Sequence, residues 1–122
     1  FNIEGKFHAA GCSNGGISAL HVAAANPDYF QSVTAFPGFL WEPSPQKVVN
    51  LADICVYMYI GEKDKLGWHE EMKREAEFLR ECGTLATYSV EKDQPHRIET
   101  LAGAKSIRLF EGFEATKQGC IL

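Results

Sequence analysis

The run "ICVYMYIG", residues 54 to 61, is the stretch that most limits how this chain folds. It is nearly all apolar. A strand of that kind suits a parallel sheet covered on both faces; a sheet with one wet face alternates apolar and polar residues instead. Helices must then supply the cover, and the flanking sequence offers them.

Residues 15 to 27, "GGISALHVAAANP", read as a helix. Ile17, Leu20 and Ala24 share a face, alanine is the best helix former, and Asn26-Pro27 stops the run. Residues 67 to 83 form a stronger amphipathic pattern, with Trp68, Met72, Ala76, Leu79 and Cys82 at three- and four-residue steps and Gly83 as C-cap. Further strands are predicted over 5 to 11, 30 to 38 and 84 to 92, and a last helix, weakened by Gly103, over 98 to 113. Residues 39 to 53 form a loop with a helical turn at 46 to 51. The order β-α-β-loop-β-α-β-α predicts an α/β domain spanning residues 1 to 122. Its mainly parallel sheet has about four strands in sequential order. Residues 54 to 61 should be the most buried strand, and the helices are expected over both faces.

Several functions are excluded or disfavoured by composition. The net charge is −4, with no basic block, which argues against nucleic acid. No apolar run approaches the roughly 20 residues of a membrane span. Cys12, Cys55, Cys82 and Cys120 are widely spaced with no C-x-x-C pair, so a zinc site is not expected; no cofactor is expected either. Three of them fall inside regular elements, where buried free thiols and a reducing, cytoplasmic setting are the expectation. The chain starts at Phe1, and "FNIEGKFHAA" does not read as a signal peptide. It is expected to be processed or cut from something longer.

Ligands of such sheets bind beyond the carboxyl ends of the strands. Three chemically useful residues lie there: Ser13 after the first strand, Asp64 in "IGEKD", and His96 in "DQPHRI". Ser13 sits in "GCSNG", a match to G-x-S-x-G between a strand and a helix. A serine hydroxyl is a weak nucleophile until a histidine removes its proton. An acid then fixes the imidazole tautomer and stabilises its charged form. Gly11 and Gly15 are expected to let the tight turn close. Cys12 stands one residue early and should point away.

On these residues the chain resembles the α/β-hydrolases, over nearly all of its length. The order Ser13, Asp64, His96 is that family's nucleophile, acid, histidine order. The intervals of 51 and 32 residues leave no room for a large cap domain. That resembles compact members such as carboxylesterases, acyl-protein thioesterases, dienelactone hydrolases and esterase-D-like enzymes. The resemblance implies a serine hydrolase acting on a small-molecule ester or thioester, with the Asn14 N–H as one oxyanion donor. Pro95 precedes His96 where the family commonly has glycine. Phe36, Phe39, Leu40 and Trp41, in "FPGFLW", either line an apolar acyl pocket or pack into the core.

The resemblance covers only the carboxyl-terminal half of the family fold. No HGGG-type motif supplies a second oxyanion donor. The strand at 5 to 11 would be a sheet edge, which favours a homodimer or association with an amino-terminal half. A non-catalytic binding module of the same fold is the alternative. A phosphate-binding domain fits less well, because "GCSNGG" matches no phosphate-loop pattern.

Overall fold

The computed structural model describes residues 6–40, 44–98, 101 and 111. Four strands, β1 (Phe7–Gly11), β2 (Phe30–Ala35), β3 (Cys55–Gly61) and β4 (Ala86–Glu91), alternate with three helices, α1 (Asn14–Ala25), α2 (Pro45–Asn50) and α3 (His69–Glu81). All strand pairs are parallel, and the order is β1-β2-β3-β4. The sequential parallel sheet is the one the alternation of elements predicts. The helix expected over 98 to 113 and Trp41 lie outside the described residues.

Local chemistry sets the element ends. In α1 the Asn26 N–H closes on the carbonyls of Val22 and Ala23, and Pro27 prevents continuation. At α2 the Ser44 hydroxyl accepts the Lys47 N–H at 3.3 Å and Pro45 occupies the first turn. That pairing turns the expected single turn into a short helix. Gly83, at φ +93°, ends α3 in the left-handed conformation that glycine tolerates best.

β3 is the buried centre of the sheet, with Tyr59 alone only partly covered. Val33 of β2 joins Val56, Met58 and Ile60 of β3 in the core. They pack with Leu20, Ala23 and Ala24 of α1 and with Met72, Ala76 and Leu79 of α3. The buried stripe of α1 is Gly16, Ala19, Leu20, Ala23 and Ala24, and Ile17 lies at its margin. Small residues there let the helix approach the sheet closely.

The described helices α1, α2 and α3 lie beside one another, and the helix over 98 to 113, on which the expectation of helices over both faces also depends, lies outside the described residues. The Asn50 amide of α2 donates to the Ala24 carbonyl of α1 at 2.7 Å, and α2 and α3 line a common cavity. Strands added successively in one direction by crossovers of one hand keep their helices on one side. The expectation of free thiols fails at Cys55, which is disulfide-bonded, while Cys12 and Cys82 are free. The argument from free thiols to a reducing compartment therefore does not hold. No described helix is long and apolar enough to cross a membrane.

Register places the loops. Gly11 pairs with Ala35, and Ala35 with Met58, so β1 and β2 end level. β3 runs three residues further, to Gly61, opposite Glu91. The turn carrying Asp64 and the loop carrying His96 thus rise side by side above the end of β1.

Candidate active site

The turn from β1 into α1 holds Ser13 at φ 60° and ψ −121°. A non-glycine residue there costs about 1–3 kcal/mol and persists only when its surroundings enforce it. They do so on both sides. The Ser13 N–H donates to the Pro37 carbonyl at 2.9 Å, and the Ser13 carbonyl accepts from Gly16 and Ile17 at 3.0 and 3.1 Å. The first glycine of the motif is required by space: a Cβ on Gly11 would lie 2.1 Å from the Gly15 carbonyl oxygen. The second is not, contrary to the sequence reading, because a Cβ on Gly15 would meet nothing within 4 Å. The crowded position is its neighbour Gly16, where a Cβ would come 2.2 Å from the Pro37 oxygen.

Ser13, His96 and Asp64 converge. The Ser13 hydroxyl lies 2.7 Å from His96 Nε2, and His96 Nδ1 lies 2.6 Å from Asp64 Oδ2. A carboxylate beside Nδ1 makes that nitrogen the donor, which leaves Nε2 to accept the serine proton. The Asp64 side chain is fully covered, and its Oδ1 accepts the Leu66 N–H at 2.8 Å. Both oxygens of this buried acid are therefore satisfied.

The His96 loop is fastened to the Asp64 turn through the backbone. Lys63 N–H donates to the Gln94 carbonyl at 2.8 Å, and Glu62 N–H to Glu91 at 2.9 Å. Glu62, the acid that could be confused with Asp64 in the sequence, accepts the Asp93 N–H at 3.1 Å and stays on the surface. Asp93 also pairs with Lys63 at 3.5 Å. His69 Nε2 donates to the Gly61 carbonyl at 2.8 Å, and His8 Nδ1 lies 2.6 Å from the Ser32 hydroxyl. Both belong to the framework.

Asn14 is the first residue of α1, where a backbone N–H has no partner within the helix. The Cys12 thiol is held above its ordinary pKa, chiefly by burial, with Arg97 opposing and Asp64 reinforcing. The shift favours the protonated thiol, the less nucleophilic form.

Of the four residues expected to line a pocket, Phe36 is half-buried, Phe39 nearly covered and Leu40 fully in the core. Leu40 packs with Val48 and Leu79 beside the cavity between α2 and α3. Phe39 reaches the candidate site indirectly, through a ring the sequence reading assigned to the helix stripe. Trp68 stands edge-to-face between Phe39 and His96, with centroids 5.1 and 5.2 Å away. Pro37 and Glu75 were also missed. Glu75 carried a signal, because it lies on the buried stripe Met72, Glu75, Ala76, Leu79.

The fold is that of the α/β-hydrolases. Residues 1–113 match the model of the Esterase family, described as "Putative esterase", and the chain belongs to that family. Among solved structures it is similar to an acyl-protein thioesterase 2 from Zea mays, at 16% identity and TM-score 0.68, over 90% of this chain and 55% of that one. A "predicted CIB-like hydrolase" from Thermoplasma acidophilum is similar at 12% identity and TM-score 0.61, over 89% and 49% of the two chains. A dienelactone hydrolase-like promiscuous phosphotriesterase from metagenomic libraries gives 20% identity and TM-score 0.56, over 81% and 41%. The chain thus spans about half the length of these structures. A search of the curated proteins finds no match to it.

Proposed function

We propose that this chain carries the catalytic residues of a serine hydrolase acting on carboxylic esters or thioesters. The observation that carries the reading is the unbroken path from the Ser13 hydroxyl through His96 to Asp64, at 2.7 and 2.6 Å.

In this reading His96 Nε2 takes the Ser13 proton as Oγ attacks the acyl carbon. The carbonyl oxygen becomes an oxyanion beside the Asn14 N–H, at the positive end of α1. Asp64 holds the imidazolium by its Nδ1–H. His96 then gives its proton to the departing alkoxide or thiolate, and the acyl group remains on Ser13. Water, deprotonated by His96, attacks the acyl-enzyme, and Ser13 leaves with the proton returned.

One oxyanion donor is thereby assigned. A second belongs, in our proposal, to a segment that pairs along the free side of β1. β1 is, with β4, one of the two edge strands of the described sheet, and the one without a fully buried residue. That segment is an amino-terminal half or another copy. A fluorophosphonate that labels Ser13 and fails to label Ser13→Ala would support the nucleophile. Equal labelling of both forms would refute it.

A further inference from the structure

α3 buries a carboxyl that the reaction above does not use. Glu75 is only 7% exposed. Its Oε1 accepts the Leu40 N–H at 2.6 Å, while Oε2 is buried without any partner. Among the described residues no cation pairs with it: Arg74, on the same helix, pairs with Glu71, and Val48 of α2 and Leu40 line the same cavity with apolar side chains. Beside it lies a cavity of about 270 Å³ with mostly apolar walls. A methionine or leucine would satisfy the helix stripe without that desolvation cost. What a carboxyl adds is an acceptor for one buried backbone donor, which would otherwise be orphaned.

The donor belongs to an informative segment. Residues 36–39 touch the candidate site and its surroundings at four points. Phe36 N–H donates to the Gly11 carbonyl, and the Pro37 carbonyl accepts from Ser13, both at 2.9 Å. Gly38 lies against Gly16 so closely that a Cβ would come 2.8 Å from its Cα. Phe39 meets Trp68, which meets His96. Leu40, at the far end, is tied to Glu75.

We infer that Glu75 is a positioning residue for the candidate site: through the Leu40 amide it fixes the segment 36–40, on which both Ser13 and His96 rest. The inference builds on the serine-hydrolase reading and extends it to a residue that touches no reacting atom.

Glu75→Gln keeps a carbonyl acceptor, and Glu75→Met keeps the volume without one. The test measures hydrogen exchange at the Leu40 amide and the fluorophosphonate labelling rate of Ser13 in the full chain. The wild type and Glu75→Gln should protect the amide and label at similar rates. Glu75→Met should expose the amide and slow labelling by about 10²-fold, the scale of a misplaced reacting group. Equal protection and equal labelling in all three would overturn the inference. If Glu75→Met does not fold, the pH titration of the Leu40 amide resonance decides. It should follow the Glu75 carboxyl and vanish in Glu75→Gln, and a resonance indifferent to pH would overturn the anchor. Absent labelling throughout, with the Leu40 pattern intact, would instead refute the serine-hydrolase reading and leave the anchoring bond supported.

Discussion

The carbonyl oxygen of Pro95 lies where a side chain on Gly61 would begin: a Cβ there would come 2.2 Å from it and equally close to the Gln94 oxygen. The last residue of β3 and the residue before His96 are thus fitted backbone to backbone. Gly61→Ala should push the His96 loop away from Ser13. Overpacking of this kind costs about 1–3 kcal/mol of stability. Ester turnover should fall by about 10²-fold, since the histidine is displaced rather than removed. Urea unfolding and p-nitrophenyl ester hydrolysis measure the two effects separately, and unchanged turnover would mean that the loop position does not matter.

Asp64→Asn tests the tautomer. The amide can donate to Nδ1, which favours the imidazole with its proton on Nε2 and removes the acceptor for Ser13. Turnover should fall by about 10²–10⁴-fold, the range attributed to a positioned acid–base group. Stability should also drop, because a buried oxygen bonded to His96 is replaced. A variant with near-normal turnover would contradict the role given to Asp64.

Glu75 should leave a signature in stability against pH. Burial raises its pKa from 4.5 to about 7, against a smaller lowering by the Leu40 N–H. Between those values the folded chain holds a proton that the unfolded chain has released, so stability falls as pH rises from 4.5 to 7 and levels off above. The loss is roughly 3 kcal/mol for a shift of this size. Glu75→Gln should lack that part of the slope. Urea unfolding of both forms at several pH values checks it, and parallel curves would show that Glu75 titrates normally.

Among the described residues no strand pairs with the outer side of β1, which predicts association. Unpaired strand edges recruit other strands. Phe7 on β1 and Val22 on α1 are also apolar and nearly half exposed. The isolated 122-residue chain should self-associate, most simply as a two-fold dimer. Light scattering across micromolar concentrations reads the state directly, and a monomer throughout would contradict the proposal.

The parallel order of the sheet was legible because "ICVYMYIG" permits little else and the flanking runs alternate cleanly. Ser13, Asp64 and His96 could be picked out because each follows a strand, and strand ends converge in a parallel sheet. What the sequence hid depends on neighbours distant along the chain. Glu75 lies on an apolar stripe, yet only the packed segment 36–40 reveals the Leu40 donor it serves. Trp68 reads as one more apolar residue of the helix predicted over 67 to 83 until the fold sets it, just before α3, between Phe39 and His96. The need for glycine at Gly16 rather than Gly15 follows from the Pro37 carbonyl. Cysteine spacing carries no record of which thiols the fold brings together, so the bonded state of Cys55 was not foreseen.

The central claim is that Ser13 is a nucleophile activated by His96. The direct measurement is mass-spectrometric mapping of fluorophosphonate labelling in the wild type, Ser13→Ala and His96→Ala. The account predicts a single adduct on Ser13, absent in Ser13→Ala and slowed by about 10²–10⁴-fold in His96→Ala. Labelling at another residue, or a Ser13 adduct forming at the same rate without His96, would contradict it.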